Sequence, residues 1–435
     1  MLPSVPSPNA HTTRVSARRT WSPVKDRRLL IIFGIVLVDM LSFSLVLPLL
    51  PYYAKEFGAS PMVTGLIFSS YPLMQVIAAP FLGRLSDVWG RKPVLLLSIA
   101  GTACALVMLG FANSLWMLFA SRMLDGITGG NISVAQAYMT DVTSEKDRGK
   151  AFGLIGAAFG IGFILGPVSG GLLSAVNQHL PAFIAAGLAA INLLLVLFIL
   201  PESLSTERRA QVKAEPAKGW GLSELGSTLR LPRVGPLLWI RIVVGFTFAV
   251  FEGGFSLWAA DALGLTAAQN GLVLGYVGVL SVVIQLALIG PLTKRFSDAR
   301  LIVGATALAA ISLTLWGFTP TIWVLLAIMP FLSLGLSITN TILGSALTKA
   351  VYADEVGGIV GLSTAIGSLT RIPAPFVAGA LLQLAGGWGP GVLAGLMTAA
   401  AVPYGYARLI SRPDAPLPPR EAPVATSAKA GQPPT

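Results

Sequence analysis

Asp39, Asp125 and Glu252 are carboxylates set inside long apolar runs, and Arg122, Arg241 and Arg371 are guanidiniums in the same surroundings. A charge at the centre of an apolar membrane helix costs about 2.5–3.5 kcal/mol on insertion scales, so it persists where it faces a wet cavity or a partner. The chemistry open to such a carboxyl is to take up a proton on one side and release it on the other. Asp39 lies about ten residues into its run and Asp125 about ten into a run entered from the opposite side. At 1.5 Å per residue both fall near the midplane. At about 100° per residue, Arg122, Asp125, Gly129 and Gln136 cluster within about a third of a turn, with Asn131 on the opposite side. That stripe is read as lining a cavity, with Asp39 or Asp125 carrying the proton and Arg122 governing its charge. The plainer alternative is a structural Arg122–Asp125 ion pair at i,i+3.

Glu252 shares nearly one face with Arg241. Glu252 is the proton-coupling candidate, and Arg241 is expected to snorkel to the membrane surface. Tyr71, Gln75, Gln136, Trp258, Gln285, Asn340 and Arg371 are the candidates for lining a substrate cavity. Acids beside aromatics such as Tyr71, Phe251 and Trp258 suit a lipophilic cation. Arg371 suits an anionic group or a pairing with Glu252. Each neutral amide alone is equally well explained by an interhelical hydrogen bond.

The elements that must position these residues follow from composition. The chain has 435 residues, 54% hydrophobic and 11% charged, with a mean hydropathy of +0.75. Soluble domains carry about 25% charged residues. So few charges cannot cover a soluble surface of this size, and the apolar excess must face lipid. One cysteine, Cys104, and two histidines, His11 and His179, leave little for disulfide, metal or acid–base chemistry, and no catalytic signature appears. No enzyme activity, metal or cofactor is expected.

Twelve apolar runs are each read as a membrane helix. They lie near 29–53, 62–83, 94–112, 115–139, 151–174, 181–200, 236–259, 271–293, 301–317, 320–348, 358–383 and 388–408. The expected organisation is a tail over 1–28, a six-helix bundle over 29–200, a polar link over 201–235, a second bundle over 236–410 and a disordered Pro- and Ala-rich tail over 411–435. The first tail has no apolar core, so it is not read as a cleavable signal. With the N-terminus inside, the inner segments hold 26 of the 30 Lys and Arg. That asymmetry places both termini in the cytoplasm. The net charge of +11 is therefore mostly topological and does not call for nucleic acid.

The halves echo each other. Gly83-Arg-Leu-Ser-Asp87 after the second run recurs as Gly290-Pro-Leu-Thr-Lys294, 207 residues later. The same offset takes Pro167 to a point between Pro373 and Pro375. Two related halves around a midplane site is a transporter architecture. The loop Gly83-Arg-Leu-Ser-Asp87-Val-Trp-Gly90-Arg91-Lys-Pro93 closely resembles the loop signature of the major facilitator superfamily, with Val88 in place of a basic residue. Asp39 with Pro48-Leu-Leu-Pro51, Arg122-Met-Leu-Asp125-Gly126, and Gly162-Phe-Ile-Leu-Gly166-Pro167-Val-Ser-Gly170-Gly171 resemble motifs of its twelve-helix drug/proton antiporters. The last resembles their antiporter motif. Leu73-Met-Gln75-Val and Pro93-Val-Leu-Leu-Leu-Ser98 are similar to the tetracycline exporters. Those carry an acid where this chain has Ala105 and a histidine where it has Ser281.

The resemblance implies an all-α membrane protein of two pseudo-symmetric six-helix bundles, monomeric, in a bacterial-type inner membrane. It implies proton-coupled export of amphipathic drugs by alternating access. It also implies that Gly83, Asp87, Gly90 and Arg91 form a cytoplasmic gate, with Asp87 bracing the start of the eleventh helix. The glycines around Pro167 permit close packing and a bend there. The alternatives are a transporter for one specific solute, such as a sugar, amino acid or siderophore, and a non-transporting sensor on the same fold.

Overall fold

A computed structural model describes residues 23–143, 147–204, 209, 226, 228–352 and 355–411. The two expected tails, but for their inner ends, and most of the 201–235 link lie outside these residues. The described chain makes twelve helical spans. α1 runs Pro23–Val46 and continues through a 3-10 turn, Leu47–Leu49, into Leu50–Glu56. α2 is Pro61–Trp89, α3 Arg91–Gly110, α5 Arg148–Val176 and α6 Leu180–Ile199. α4 is two pieces, Leu115–Thr128 and Asn131–Val142. α7 is Gly235–Ala262, α9 Asp298–Gly317 and α10 Ile322–Lys349. α8 runs Ala267–Val283, then a π-helical turn, Ile284–Leu288, then Ile289–Arg295. α11 is Val356–Arg371 followed by Pro373–Ala385, and α12 is Trp388–Gly405 with a terminal π-helical turn.

Local chemistry sets several of these starts. The first amides of a helix lack intrahelical acceptors. At α2, the Ser60 hydroxyl accepts from the Val63 amide at 3.4 Å, and Pro61 has no amide to satisfy. At α8, Thr266 and Gln269 form a reciprocal capping box. Among the described residues, ten helices are long and apolar enough to cross a membrane. α4, broken in the middle, and α12, short and containing glycine and proline, complete the twelve. Large apolar side chains such as Phe81, Trp116, Phe198, Trp323 and Leu384 stand exposed on the outside, as a lipid-facing surface requires.

The interruptions fall in the helices that surround the centre. α11 breaks at Ile372 because Pro373 has no amide to donate. α4 breaks at Gly129–Gly130. Discontinuous helices of this kind free backbone groups at membrane depth, which is tolerated where protein or a wet cavity receives them.

Among the described residues, the hydrogen bonds between the two halves lie on one side. Let the near face be the one from which α1 starts. On the far side, Tyr52 donates to the Leu265 carbonyl at 2.8 Å and Asn270 to the Pro48 carbonyl at 3.3 Å. Gln383 accepts from the Met62 amide at 3.2 Å, and Ser69 from the Phe376 amide at 3.2 Å. Glycines let backbones touch here: a Cβ on Gly171 would lie 2.8 Å from the Ala267 oxygen. Towards the near face the same helices part. A Cβ on Gly149, Gly153, Gly156 or Gly160 of α5, or on Gly357 or Gly361 of α11, would meet nothing within 4 Å. The molecule is closed at the far face and open at the near face.

Candidate functional site

Two acid centres sit in the first half. Asp39 on α1 accepts a 2.6 Å hydrogen bond from the Asn131 amide nitrogen. Asp125 on α4 pairs with Arg122 at 3.2 Å, with side chains 5% and 3% exposed. The Arg122 Nε has no partner. The i,i+3 pair is therefore present, buried and incompletely satisfied. The broken α4 changes its helical wheel. Asn131, expected opposite the polar stripe, begins the second piece and reaches Asp39. Gln136, expected on the stripe, is half-buried in that second piece and lines none of the chambers described below. The break also frees the Gly129 carbonyl, which receives Gln75 Nε2 at 2.9 Å. Gln75 also donates to the Tyr71 hydroxyl at 3.1 Å, and Tyr71 sits among Asp39, Asp125, Arg122 and Arg371.

Among the described residues, three chambers share wall residues at the centre. A small aromatic one of about 90 Å³ is lined by Phe43, Phe68, Tyr71, Gln75, Arg122, Phe163, Glu252 and Arg371, among others. Phe43 stacks obliquely on Tyr71 at 5.2 Å and edge-on to Phe163 at 6.4 Å. A larger, mainly apolar one of about 920 Å³ runs between α5 and α8, past Gly156, Gly160, Phe163, Phe251, Glu252 and Gln285. A polar one of about 400 Å³ lies within the second half, with Arg241, Ser281, Gln285, Ser333, Asn340 and Arg371 in its wall. Arg371 lines all three. It pairs with Glu252 at 3.0 Å, and its side chain is 52% exposed.

Two expectations are corrected. Arg241 does not snorkel: it bonds the Asn340 side-chain oxygen and lines the polar chamber. Trp258 does not line the cavity. It is 1% exposed, donates to the Gly387 carbonyl at 2.8 Å and packs edge-on to Trp316 at 5.3 Å.

The loop between α2 and α3 forms a charged knot. Arg91 bonds Asp87 at 2.6 Å, Asp141 at 3.0 Å and Ser86 at 2.6 Å. Ser86 in turn donates to the Gly83 carbonyl at 2.6 Å. Glu202 accepts from the first two amides of α3, at 2.9 and 3.1 Å, where a carboxylate is favoured by the helix dipole. Gly90 has φ +110°, and a Cβ there would also strike the Glu202 carboxylate. Asp87 thus pairs within its own half and does not brace α11. Asp141 and Glu202 were not singled out from the sequence. Their signal is an acid beside an inner basic loop.

In the antiporter-like run, Gly162, Gly166 and Gly170 face α1: a Cβ on Gly162 would lie 2.7 Å from that of Met40. The Ser44 hydroxyl donates to the Gly162 carbonyl at 2.8 Å. Gly171 faces α8, and the Pro167 carbonyl abuts Gly271. The run wedges α5 between α1 and α8 at the closed face.

A sequence profile of the Major Facilitator Superfamily matches residues 32–260 and 237–433. The chain belongs to this superfamily. It is 34% identical to the class C tetracycline resistance protein of Escherichia coli over 360 residues, which covers 82% of this chain and 90% of that one. It is 27% identical to multidrug resistance protein 2 of Bacillus subtilis (strain 168), over 82% of this chain and 88% of that one. In fold, this major facilitator matches a bacterial homologue of the human lysosomal transporter Spinster, with a TM-score of 0.72 at 14% identity. The match covers 89% of this chain and 97% of that one. It is a multi-pass membrane protein of a transporter family that handles small molecules, and the family and these relatives are not enzymes.

Proposed function

We propose that the protein is a proton-coupled exporter of amphipathic compounds, working by alternating access in a bacterial inner membrane. The carrying observation is the pair of acid centres, Asp39–Asn131 and Asp125–Arg122, set against the aromatic chamber between the halves. A carboxyl so placed exchanges its proton when the neighbouring cation or the occupant of the chamber moves. Tetracycline and multidrug resistance proteins among the relatives support export of drug-like molecules. The Lys and Arg distribution supports a cytoplasmic near face, so that substrate enters the open cavity from inside. Tails over 1–28 and 411–435, flanking bundles over 29–200 and 236–410, are part of this reading, as is a monomer acting alone.

The test uses proteoliposomes with an acid interior and a pH dye inside. Tetracycline, ethidium, and neutral and anionic solutes are added in turn. Proton efflux driven by several unrelated amphipathic compounds, and lost in Asp39→Asn, is the expected result. Efflux driven by a single solute favours a specific transporter, a reading to which the polar chamber around Arg241 and Asn340 lends support. No efflux with any compound, from folded protein, counts against proton coupling.

A further inference from the structure

We propose that the polar chamber of the second half binds the acidic group of an amphipathic organic acid, with Arg241 and Arg371 as its cationic contacts. This deepens the reading above and rests on the central cavity being the substrate site. The first observation is charge. Arg241 and Arg371 are the charged residues in the wall of the 400 Å³ chamber, and they stand close enough to repel each other. One carboxylate, Glu252, reaches Arg371 from the adjoining chamber, so the pair keeps a net positive charge. At membrane depth an uncompensated cation is costly, and an incoming anion offsets that cost.

The second observation is vacant donors. A guanidinium carries five N–H groups. Arg241 gives one nitrogen to Asn340, and its Nε is buried with no partner. Arg371 gives Nη2 to Glu252, at 3.0 and 3.3 Å to the two carboxylate oxygens, and its half-exposed remainder faces the cavity. The third is Ser333, 5% exposed, in the same wall, with a hydroxyl that has no partner. Buried polar groups are normally hydrogen-bonded. Two forked cations and an idle hydroxyl around one space match the planar, multi-acceptor geometry of a carboxylate or sulfonate. The aromatic chamber, which Arg371 also lines, is placed to take the ring system of the same molecule.

The experiment uses the full chain in phosphatidylcholine nanodiscs at about 150 mM salt, where exposed charges are screened beyond about 8 Å. Binding of 2-naphthoate, 2-naphthamide and 2-naphthylmethylammonium is measured by equilibrium dialysis against empty discs. The acid is expected to bind about tenfold tighter than the amide. Arg241→Gln and Arg371→Gln should each lower acid affinity about tenfold and leave amide affinity unchanged. Arg241→Lys keeps the charge but not the fork, and its acid affinity should fall between those of the native protein and Arg241→Gln. Glu252→Gln, which frees Arg371, should raise acid affinity, a gain that misfolding cannot imitate. Equal affinity for the three probes, preference for the ammonium, or no acid binding at millimolar concentration by folded protein would overturn the proposal. So would loss of acid binding when phosphatidylglycerol replaces a third of the lipid, which would assign the site to a lipid headgroup. None of these readouts depends on proton movement. Failure of coupled transport therefore leaves the anion site standing, and the reverse also holds.

Discussion

Gly171→Ala should open the far face. The Cβ it adds would lie 2.8 Å from the Ala267 oxygen, 3.1 Å from the Ala268 Cα and 3.2 Å from the Gly271 Cα. Optimal contact between carbon atoms is about 3.5–4.0 Å. All three obstructing atoms are backbone at the start of α8, so no side chain can swing away. They belong to the opposite half, so the clash exists only while the far face is closed. Overpacking of this kind costs about 1–3 kcal/mol. At about 1.4 kcal/mol per tenfold, the ratio of far-closed to far-open molecules should fall by about 5–150-fold. Spin labels at Lys55→Cys and Leu384→Cys, in a Cys104→Ser background, would report the distance across that face by double electron–electron resonance. Gly187→Ala on α6 is the control. A Cβ there meets nothing within 4 Å, yet it brings the same gain of helix propensity, about 1 kcal/mol. An unchanged distance distribution in Gly171→Ala, or an equal shift in the control, would refute the argument.

Asp39→Asn keeps an acceptor for Asn131, so thermal unfolding in detergent should change little while proton-coupled transport is lost. Asp125→Asn strips the buried Arg122 of its counter-charge and should lower stability by about 3–5 kcal/mol, read as a clear drop in unfolding temperature. Asp87→Ala removes a pair whose side chains are 10% and 39% exposed, worth about 0.2–1 kcal/mol. Unfolding temperature should barely move, while accessibility of near-face cysteine probes changes. Gly90→Ala places a side chain at φ +110° and against the Glu202 carboxylate. Weakened thermal stability and faster proteolysis of the α2–α3 loop are expected.

Helix positions were legible because apolar run length is a one-dimensional property. Side-chain direction was legible only where a helix is continuous. The wheel for α4 assumed one helix over 115–139, and the break at Gly129–Gly130 invalidates it beyond Thr128. That is why Asn131 reaches Asp39 and Gln136 leaves the cavity. The adjacent glycines were a visible warning, since a Gly-Gly pair is a recognised breaker. Trp258 was singled out by residue type, which carries no direction. Phe251 and Trp258, seven residues apart, share nearly one face of α7 and differ in position along it, Phe251 edging the chambers and Trp258 packing against Trp316 and Gly387. Arg241 turns to Asn340 in the wall of the polar chamber, a neighbour three helices later in the chain that the sequence does not place beside it.

The charged knot around Arg91 bears on why such a molecule can switch. In the near-open form Asp87 is not left waiting for α11: it already has Arg91, which also holds Asp141. Closing the near face would re-pair the exposed Asp87 and leave Arg91 with Asp141, a difference of order 1 kcal/mol or less. At the far face the halves are joined by backbone contacts through glycine and by a few neutral hydrogen bonds, each worth about 0.5–1.5 kcal/mol net. Neither face is locked by a buried ion pair between halves among the described residues. The buried pair Arg122–Asp125 lies within the first half, and Glu252–Arg371 within the second. The strong electrostatics therefore stay intact through a rigid-body rocking of the halves, while the contacts that change are individually weak. A balance so close can be tipped by occupancy of the central chambers or by a single proton on a midplane carboxyl, since a ligand shifts an equilibrium only by its differential affinity for the two states.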